Sequence, residues 1–93
     1  MSDLTLTSLV KKSATQMSTV VEGETVVLET ESGTYFSLDD VGASAWDALS
    51  EVRSVADVCS RIIAEYDVEP EQCHADVIRL FNELHALKLI EKA

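Results

Sequence analysis

The side chains that most often bind metals are few in this chain and stand far apart. Its two histidines, His74 and His85, are eleven positions apart on one predicted helix, which is about 16 Å along the axis at about 1.5 Å per residue. A single metal ion cannot reach two ligands at that separation. We therefore interpret both histidines as ordinary residues on the flank of the helix and predict no metal site.

The two cysteines are the next candidates for chemistry. Cys59 and Cys73 take apolar positions on two predicted helices, and neither has a second cysteine or a histidine at metal-binding spacing. Thiols in such positions are most often small buried hydrophobic residues of a protein in a reducing compartment. We predict that both cysteines are structural.

Catalytic signatures are also missing from the sequence. It contains no nucleophile and base in a known local arrangement, no glycine-rich phosphate loop, no HExxH motif and no CxxC motif. Most of its seventeen Asp and Glu residues fall on predicted turns and exposed helix faces, where solvated surface is the usual explanation. The sequence predicts a protein that is not an enzyme and needs no cofactor.

Length and charge limit the possible partners. Ninety-three residues with 46% hydrophobic content make one domain with a single modest core. The formal net charge of −10 repels nucleic acid and anionic membranes and favours cationic or neutral partners. The N-terminus has no basic segment followed by an apolar one, and no apolar run is long enough to span a bilayer. We expect a cytoplasmic protein without a membrane partner.

The elements that must position any binding site begin with three predicted strands. The β-rich runs at residues 18–21 and 25–30 are joined through Gly23, which suits the positive φ of a tight hairpin turn. Gly33 ends a second short turn and returns the chain into a third run at residues 34–38. We expect an antiparallel meander whose last strand leads directly into a helix.

The first sixteen residues carry a weaker signal. Apart from the alternation of Leu4 and Leu6 and the pair Leu9 and Val10, they are rich in Ser, Thr and Lys. This composition fits either a short edge strand followed by a loop or a flexible, weakly ordered arm. We assign residues 1–16 to such an arm and residues 17–93 to one folded domain.

Three helices are predicted after the strands. Asp39 or Asp40 caps the first, Ser54 opens the second with a capping-box pattern, and Pro70 begins the third, which runs to about Lys88. The apolar stripe expected on the first helix comprises Val41, Ala45, Ala48, Leu49 and Val52, with Trp46 at its flank. The predicted fold class is α+β and winged-helix-like, with a three-stranded antiparallel sheet followed by three helices.

The third helix carries more apolar surface than a core stripe needs. Val77, Leu80 and Leu84 centre the predicted buried face, and Ile78 and Phe81 widen it on one flank. The extra width either stays open as a groove or packs against a second helix.

A winged-helix order also raises the alternative of a DNA-binding transcription regulator. Its third helix would need basic side chains that reach the bases. Here that helix offers Arg79 and Lys88 among Asp76 and Glu83. The sequence therefore disfavours this alternative.

Six stretches, taken in order, resemble the PqqD family over about residues 20–91. They are GTYFSL at 33–38, VGASAW at 41–46, VADV at 55–58, EYD at 65–67, DVIRLFNEL at 76–84 and LKLI at 87–90. Each stretch is common by itself, whereas their order and spacing together are specific. One departure is Lys88, which stands where the family usually has Gly before Leu at the exit of the last helix.

The resemblance implies a function as well as a fold. Proteins of this family are the leader-peptide recognition elements of pathways that make ribosomally synthesised and post-translationally modified peptides (RiPPs). The resemblance implies that the leader of a precursor peptide adds as a strand to the edge of the third strand. It also implies a modifying enzyme as a partner, such as the leader peptidase of a lasso-peptide cluster or a radical-SAM enzyme.

The same resemblance implies a peptide-binding site. Backbone hydrogen bonds would come from Thr34, Tyr35, Phe36 and Ser37, and the cleft would be lined by Asp76, Val77, Leu80, Phe81 and Leu84. The residue pattern is compatible with this site, because the last strand of a meander has a free edge and the third helix has surplus apolar surface.

Overall fold

Two three-stranded antiparallel sheets and three helices make up residues 3–93, which is the part of the chain that the computed structural model describes. The strands are β1 (Leu9–Lys12), β2 (Gln16–Val21), β3 (Glu24–Glu29), β4 (Tyr35–Leu38), β5 (Arg53–Ser54) and β6 (Ile90–Lys92). The helices are α1 (Asp40–Asp47), α2 (Val55–Glu65) and α3 (Pro70–Ala86). The predicted α+β class is confirmed. No helix in this part of the chain has both the length and the apolar character that crossing a membrane requires.

The predicted meander is the sheet formed by β2, β3 and β4 in that order. Glu22 and Gly23 alone connect β2 to β3, and their φ angles are 51° and 84°. Positive φ at both positions is what the two-residue hairpin turn of type I′ needs. Gly33, with a φ of 76°, returns the chain into β4. Both turns expected from the sequence are confirmed.

A second sheet, in the order β5, β1, β6, was not predicted as a sheet, although a short strand within residues 1–16 was one of the two possibilities left open there. β1 is its central strand, and Val10 within it is fully buried. The residues before β1 are held as well, because Leu4 is buried and its N–H donates to Asn82 Oδ1 at 2.9 Å. This placement differs from the weakly ordered arm assigned to residues 1–16, of which residues 1 and 2 lie outside the described part.

The first helix is shorter than its sequence pattern suggests. It is followed by a 3₁₀ turn over Ala48–Ser50, and Val52 beyond it is 49% exposed, so the prediction that Val52 completes the apolar stripe is wrong. The chain leaves the helical path here because Arg53 pairs with β1. Trp46 is only 1% exposed and therefore belongs to the buried face of the helix and not to its flank. The Nζ atom of Lys12 on β1 lies 4.7 Å from its ring centroid.

The junction between β4 and α1 contains almost no loop. Asp39 is the N-cap residue of α1, and its Oδ1 atom accepts a hydrogen bond from the N–H of Gly42 at 2.7 Å. A Cβ atom on Gly42 would lie 3.1 Å from that oxygen and 3.4 Å from the side chain of Leu38. Glycine therefore lets the helix begin directly against the strand.

The end of α3 is closed by two backbone hydrogen bonds. The N–H of Lys88 donates to the carbonyl of His85 at 3.1 Å, and the N–H of Leu89 donates to the carbonyl of Leu84 at 2.9 Å. This pair of bonds is the Schellman motif, in which the residue after the cap takes a left-handed conformation and is usually Gly. Lys88 adopts that conformation with a φ of 63°.

One hydrophobic core joins the two sheets and the helices. Its largest fully buried side chains are Trp46, Phe81, Ile62, Leu84, Leu89 and Ile90. They come from α1, α2, α3, β6 and the turn before it. Packing in the core therefore fixes the position of α3 relative to the strands. This position places one face of α3 beside the edge of β4.

Candidate functional site

The outer edge of β4 offers two residues for pairing with a further strand. β4 is the last strand of its sheet, and the N–H of Glu29 donates to the carbonyl of Thr34 at 2.8 Å. Backbone hydrogen bonding alternates along an antiparallel ladder. Phe36 therefore also directs its N–H and carbonyl toward β3, whereas Tyr35 and Ser37 direct theirs toward the open edge.

A groove of about 470 Å³ lies beside this edge, between β4, the start of α1 and one face of α3. We call it the β4–α3 groove. Its lining includes Phe36, Ser37, Gly42, Val77, Leu80 and Glu83. An unpaired strand edge and an open groove therefore adjoin one another.

The β4–α3 groove is apolar at its base and charged at its mouth. Ala45, Ile62 and Val77 line it and are almost completely buried. Asp39 and Glu83 also line it and are exposed to solvent. A groove of this kind can hold the apolar side chains of an extended segment while polar groups at the mouth stay hydrated.

The structure brings together five of the nine residues expected at the site. Phe36, Ser37, Asp76, Val77 and Leu80 line the β4–α3 groove.

The other four residues do not line the groove, although Tyr35 contributes its backbone to the open edge as expected. Phe81 and Leu84 are fully buried in the core and do not line the groove. Thr34 has its carbonyl bonded to Glu29 and its N–H bonded to Ser32 Oγ at 3.3 Å, so it presents neither group to the edge. Tyr35 presents its backbone to the edge, and its side chain is 69% exposed outside the groove.

Besides Ile62 on α2, Val68 after it and the charged Arg79 and Glu83, sequence reasoning missed two parts of the lining. The first is the junction of β4 and α1, which contributes Leu38, Asp39 and Val41. The second is the turn of α3 that contains Gln72 and Cys73. The spacing of helical residues carried a signal for the second part, because Cys73 lies four positions before Val77 on the same helix face.

The thiol in the groove is not prepared for nucleophilic chemistry. Cys73 is buried, as is the neighbouring Cys59, which agrees with their predicted structural role. Burial raises the pKa of Cys73 and raises the pKa of Cys59 to about 12, so both thiols stay protonated at neutral pH. Within residues 3–93, no three His, Cys, Asp or Glu side chains are grouped so that they could hold a metal ion.

Comparison with known proteins found a matching family model and similar solved structures. The family model described as coenzyme PQQ synthesis protein D (PqqD) matches residues 24–90. The structure of TbiB1 in complex with the TbiA(beta) leader peptide is similar, with 32% sequence identity and a TM-score of 0.78 over 87% of this chain and 94% of that chain. A search of curated proteins found no match.

A second structure has the same fold. Lasso peptide synthetase B1 complexed with the leader peptide aligns with a TM-score of 0.71 at 23% identity, over 88% of this chain and 96% of that chain. The family match extends from β3 to the first residue of β6 and includes all three helices. It confirms the resemblance seen in the six sequence stretches, and the chain belongs to the PqqD family.

Proposed function

We propose that this protein binds the leader segment of a ribosomally synthesised precursor peptide and presents it to a modifying enzyme in RiPP biosynthesis. The leader adds as a further strand on the edge of β4. The observation that carries the proposal is this open edge with the β4–α3 groove directly beside it. The similarity to TbiB1, which binds the TbiA(beta) leader peptide, supports it.

The open edge determines how leader side chains are spaced. Leader residues that pair with Tyr35 and Ser37 exchange backbone hydrogen bonds with them, and successive side chains of a strand point to opposite faces. Phe36 and Leu38 line the β4–α3 groove. The leader side chains opposite these two residues therefore enter the groove and are two positions apart. Backbone bonds tolerate many sequences, while the groove selects apolar side chains.

The protein acts as an adaptor and leaves the chemistry to its partner. A leader peptidase or a radical-SAM enzyme would modify the bound precursor. The purified chain is therefore expected to bind peptide without converting it, which mass spectrometry of the incubated peptide measures. Conversion that survives repurification of the chain and is absent from a mock preparation would contradict this role.

The alternative of a DNA-binding regulator finds no support in the charges of α3. The exposed guanidinium of Arg79 pairs with Asp76 at 3.1 Å, so a carboxylate stands beside the cation that would contact a phosphate. Binding of duplex DNA that falls steeply with salt would be required to revive it.

The proposed function is tested by replacing a single outward-facing backbone donor. Peptides of about a dozen randomised residues, long enough as an extended strand to span β4, are selected on the full chain, and the affinity of an enriched peptide is measured by fluorescence anisotropy. Ser37→Pro removes the N–H that faces the open edge. We expect it to weaken binding about tenfold, since one lost hydrogen bond costs about 1 kcal/mol and Pro also restricts the preceding residue.

A matched control exists on the opposite edge of the same sheet. Ser18 on β2 pairs with Val27, and its backbone groups face away from β3 by the same alternation. Ser18→Pro should keep peptide affinity, and circular dichroism checks the fold of both variants. Equal affinity for the Ser37→Pro variant, or amide shifts confined to β2 and β3 when peptide is added, would contradict the site.

A further inference from the structure

The mouth of the β4–α3 groove carries more negative than positive charge. Asp39, Asp76 and Glu83 line it, and Arg79 is the cation among the described lining residues. The groove therefore presents charged groups as well as apolar surface to a bound leader. Its charges restrict which residues can stand beside the apolar anchors.

Most of these charges already have partners. Arg79 Nη2 donates to Asp76 Oδ1 at 3.1 Å, and Gln72 Nε2 donates to the same oxygen at 2.9 Å. Asp39 Oδ1 accepts the N–H that it caps at the start of α1. The exposed carboxylate of Glu83, by contrast, has no hydrogen-bond or ion-pair partner within residues 3–93.

We propose that the peptide bound along β4 carries a lysine or arginine in the segment that crosses the groove, and that its cation lies at the mouth beside Glu83. This inference rests on the proposed function and specifies the peptide class. Leu80 is half-buried and lies three positions before Glu83 on the same face of α3. The aliphatic stem of the basic residue can cover Leu80 while its charged end reaches the carboxylate.

Charge repulsion disfavours an acidic residue at the same place in the peptide. An Asp or Glu at the same place in the peptide would face the three carboxylates of the groove mouth. The net charge of −10 on the whole chain also attracts a basic peptide before contact and slows the approach of an acidic one. The peptide class is thus a strand with apolar residues two positions apart and a basic residue next to them.

The first test is selection from the randomised peptide library on the full chain. We expect the enriched peptides to share two apolar positions separated by one residue, together with Lys or Arg at a fixed distance from them. Enrichment of the apolar positions without a basic one would overturn this inference and leave the proposed function intact. Absence of any enriched peptide would overturn both.

The second test reverses the charge of one residue in the groove and compares it with the same charge reversal at a control residue outside the groove. Glu83→Lys places a cation in the last turn of α3, and Glu65→Lys does the same in the last turn of α2, where the residue does not line the groove. A cation near a helix C-terminus is compatible with folding. Both variants change the net charge equally, so they separate local from long-range electrostatics.

The readout is the affinity of an enriched peptide and of its Lys→Gln or Arg→Gln version. For the unaltered protein and the Glu65→Lys variant, we expect the basic peptide to bind about two- to fivefold more tightly than its Gln version at low salt. The preference should vanish or reverse in the Glu83→Lys variant. It should also shrink at about 0.5 M NaCl, where the Debye length is roughly 4 Å. An unchanged preference in the Glu83→Lys variant would overturn the inference.

Discussion

Glu29 is a charged residue that is buried and held in place by hydrogen bonds. Its side chain is almost inaccessible to solvent at the end of β3. Oε1 accepts the N–H groups of Glu31 and Ser32 at 2.7 and 2.8 Å, and Oε2 accepts the hydroxyl of Thr15. The carboxylate thereby shapes the turn that leads into β4 and links it to the segment before β2.

These hydrogen bonds make the stability of the fold depend on pH. The hydroxyl of Thr15, followed by the backbone N–H of Ser32, lowers the pKa of Glu29 below its usual 4.5. A lowered pKa in the folded state means that the contribution is present above pH 4.5 and is lost as the pH falls through the lower, folded value.

Glu29→Gln should therefore reduce the melting temperature at pH 7, and the difference from the unaltered protein should narrow as the pH drops below about 4.5. Glu31→Gln, which changes an exposed neighbouring carboxylate, should leave the melting temperature almost unchanged. Thermal unfolding followed by circular dichroism at several pH values measures both. A difference for Glu29→Gln that stays constant from pH 7 to pH 3 would contradict the assignment.

The buried thiols lead to a prediction about reactivity. Because burial raises the pKa of Cys59 to about 12 and also raises that of Cys73, neither thiol supplies much thiolate at pH 8. Iodoacetamide should leave both unmodified in the folded protein and alkylate both in urea, as read by intact mass. Rapid alkylation of the folded protein at pH 8 would show that the thiols are accessible and reactive.

At the scale of elements, the end of α3 is held in a conformation that its residue disfavours. Lys88 has a φ of 63°, where an L-residue with a side chain costs about 1–2 kcal/mol more than Gly. Lys88→Gly should raise the free energy of unfolding by about 0.5–1 kcal/mol after allowing for the more flexible unfolded chain. Urea denaturation measures this change.

Lys88→Ala is the matched control for that prediction. It removes the same charge and keeps the unfavourable conformation, so it should bring no gain in stability. If both variants stabilise the protein equally, then loss of the charge and not relief of backbone strain is responsible.

The longer elements were predictable because their signals are local. The hairpin through Gly23 and the helix that Ser54 opens are encoded by residues that are neighbours in sequence, and Ser54 Oγ accepts the N–H of Asp57 at 3.1 Å as the capping pattern predicts. β5 has two residues and β6 has three, and both pair with β1 across long stretches of chain. Such short strands display no usable alternation, so the second sheet could not be predicted.

The candidate site, like the fold, was predictable only in part from the sequence. Phe36 and Leu80 were expected on the strand and helix that form it, and both line the groove. The helical pattern alone could not tell which flank of α3 remains open, because that depends on how α2 and the sheets pack against it. Phe81 and Leu84 lie on the covered side and fill the core.

At the scale of the whole molecule, we propose that the folded domain includes the segment before β2. Removing residues 1–12 would delete β1 and the buried side chains of Leu4 and Val10. Each such side chain contributes about 1.5–3 kcal/mol, so the truncated chain should lose roughly 3–6 kcal/mol of a typical total of 5–15 kcal/mol.

Removing only residues 1–3 should leave the urea midpoint nearly unchanged, since Leu4 and β1 remain in place. Comparing urea unfolding of the two truncations with that of the full chain measures the effect. If residues 13–93 unfold at the same urea concentration as the full chain, the segment before β2 is a dispensable arm.

The central position of β1 also affects the order of events during synthesis on the ribosome. β2, β3 and β4 pair with their neighbours in sequence, whereas β1 cannot complete its sheet until β6 has left the exit tunnel. At about 5–20 residues per second, β4 is synthesised roughly 3–11 s before β6. The edge of β4 can therefore form before α3 packs beside it, and the like negative charge of the chains opposes pairing between such edges.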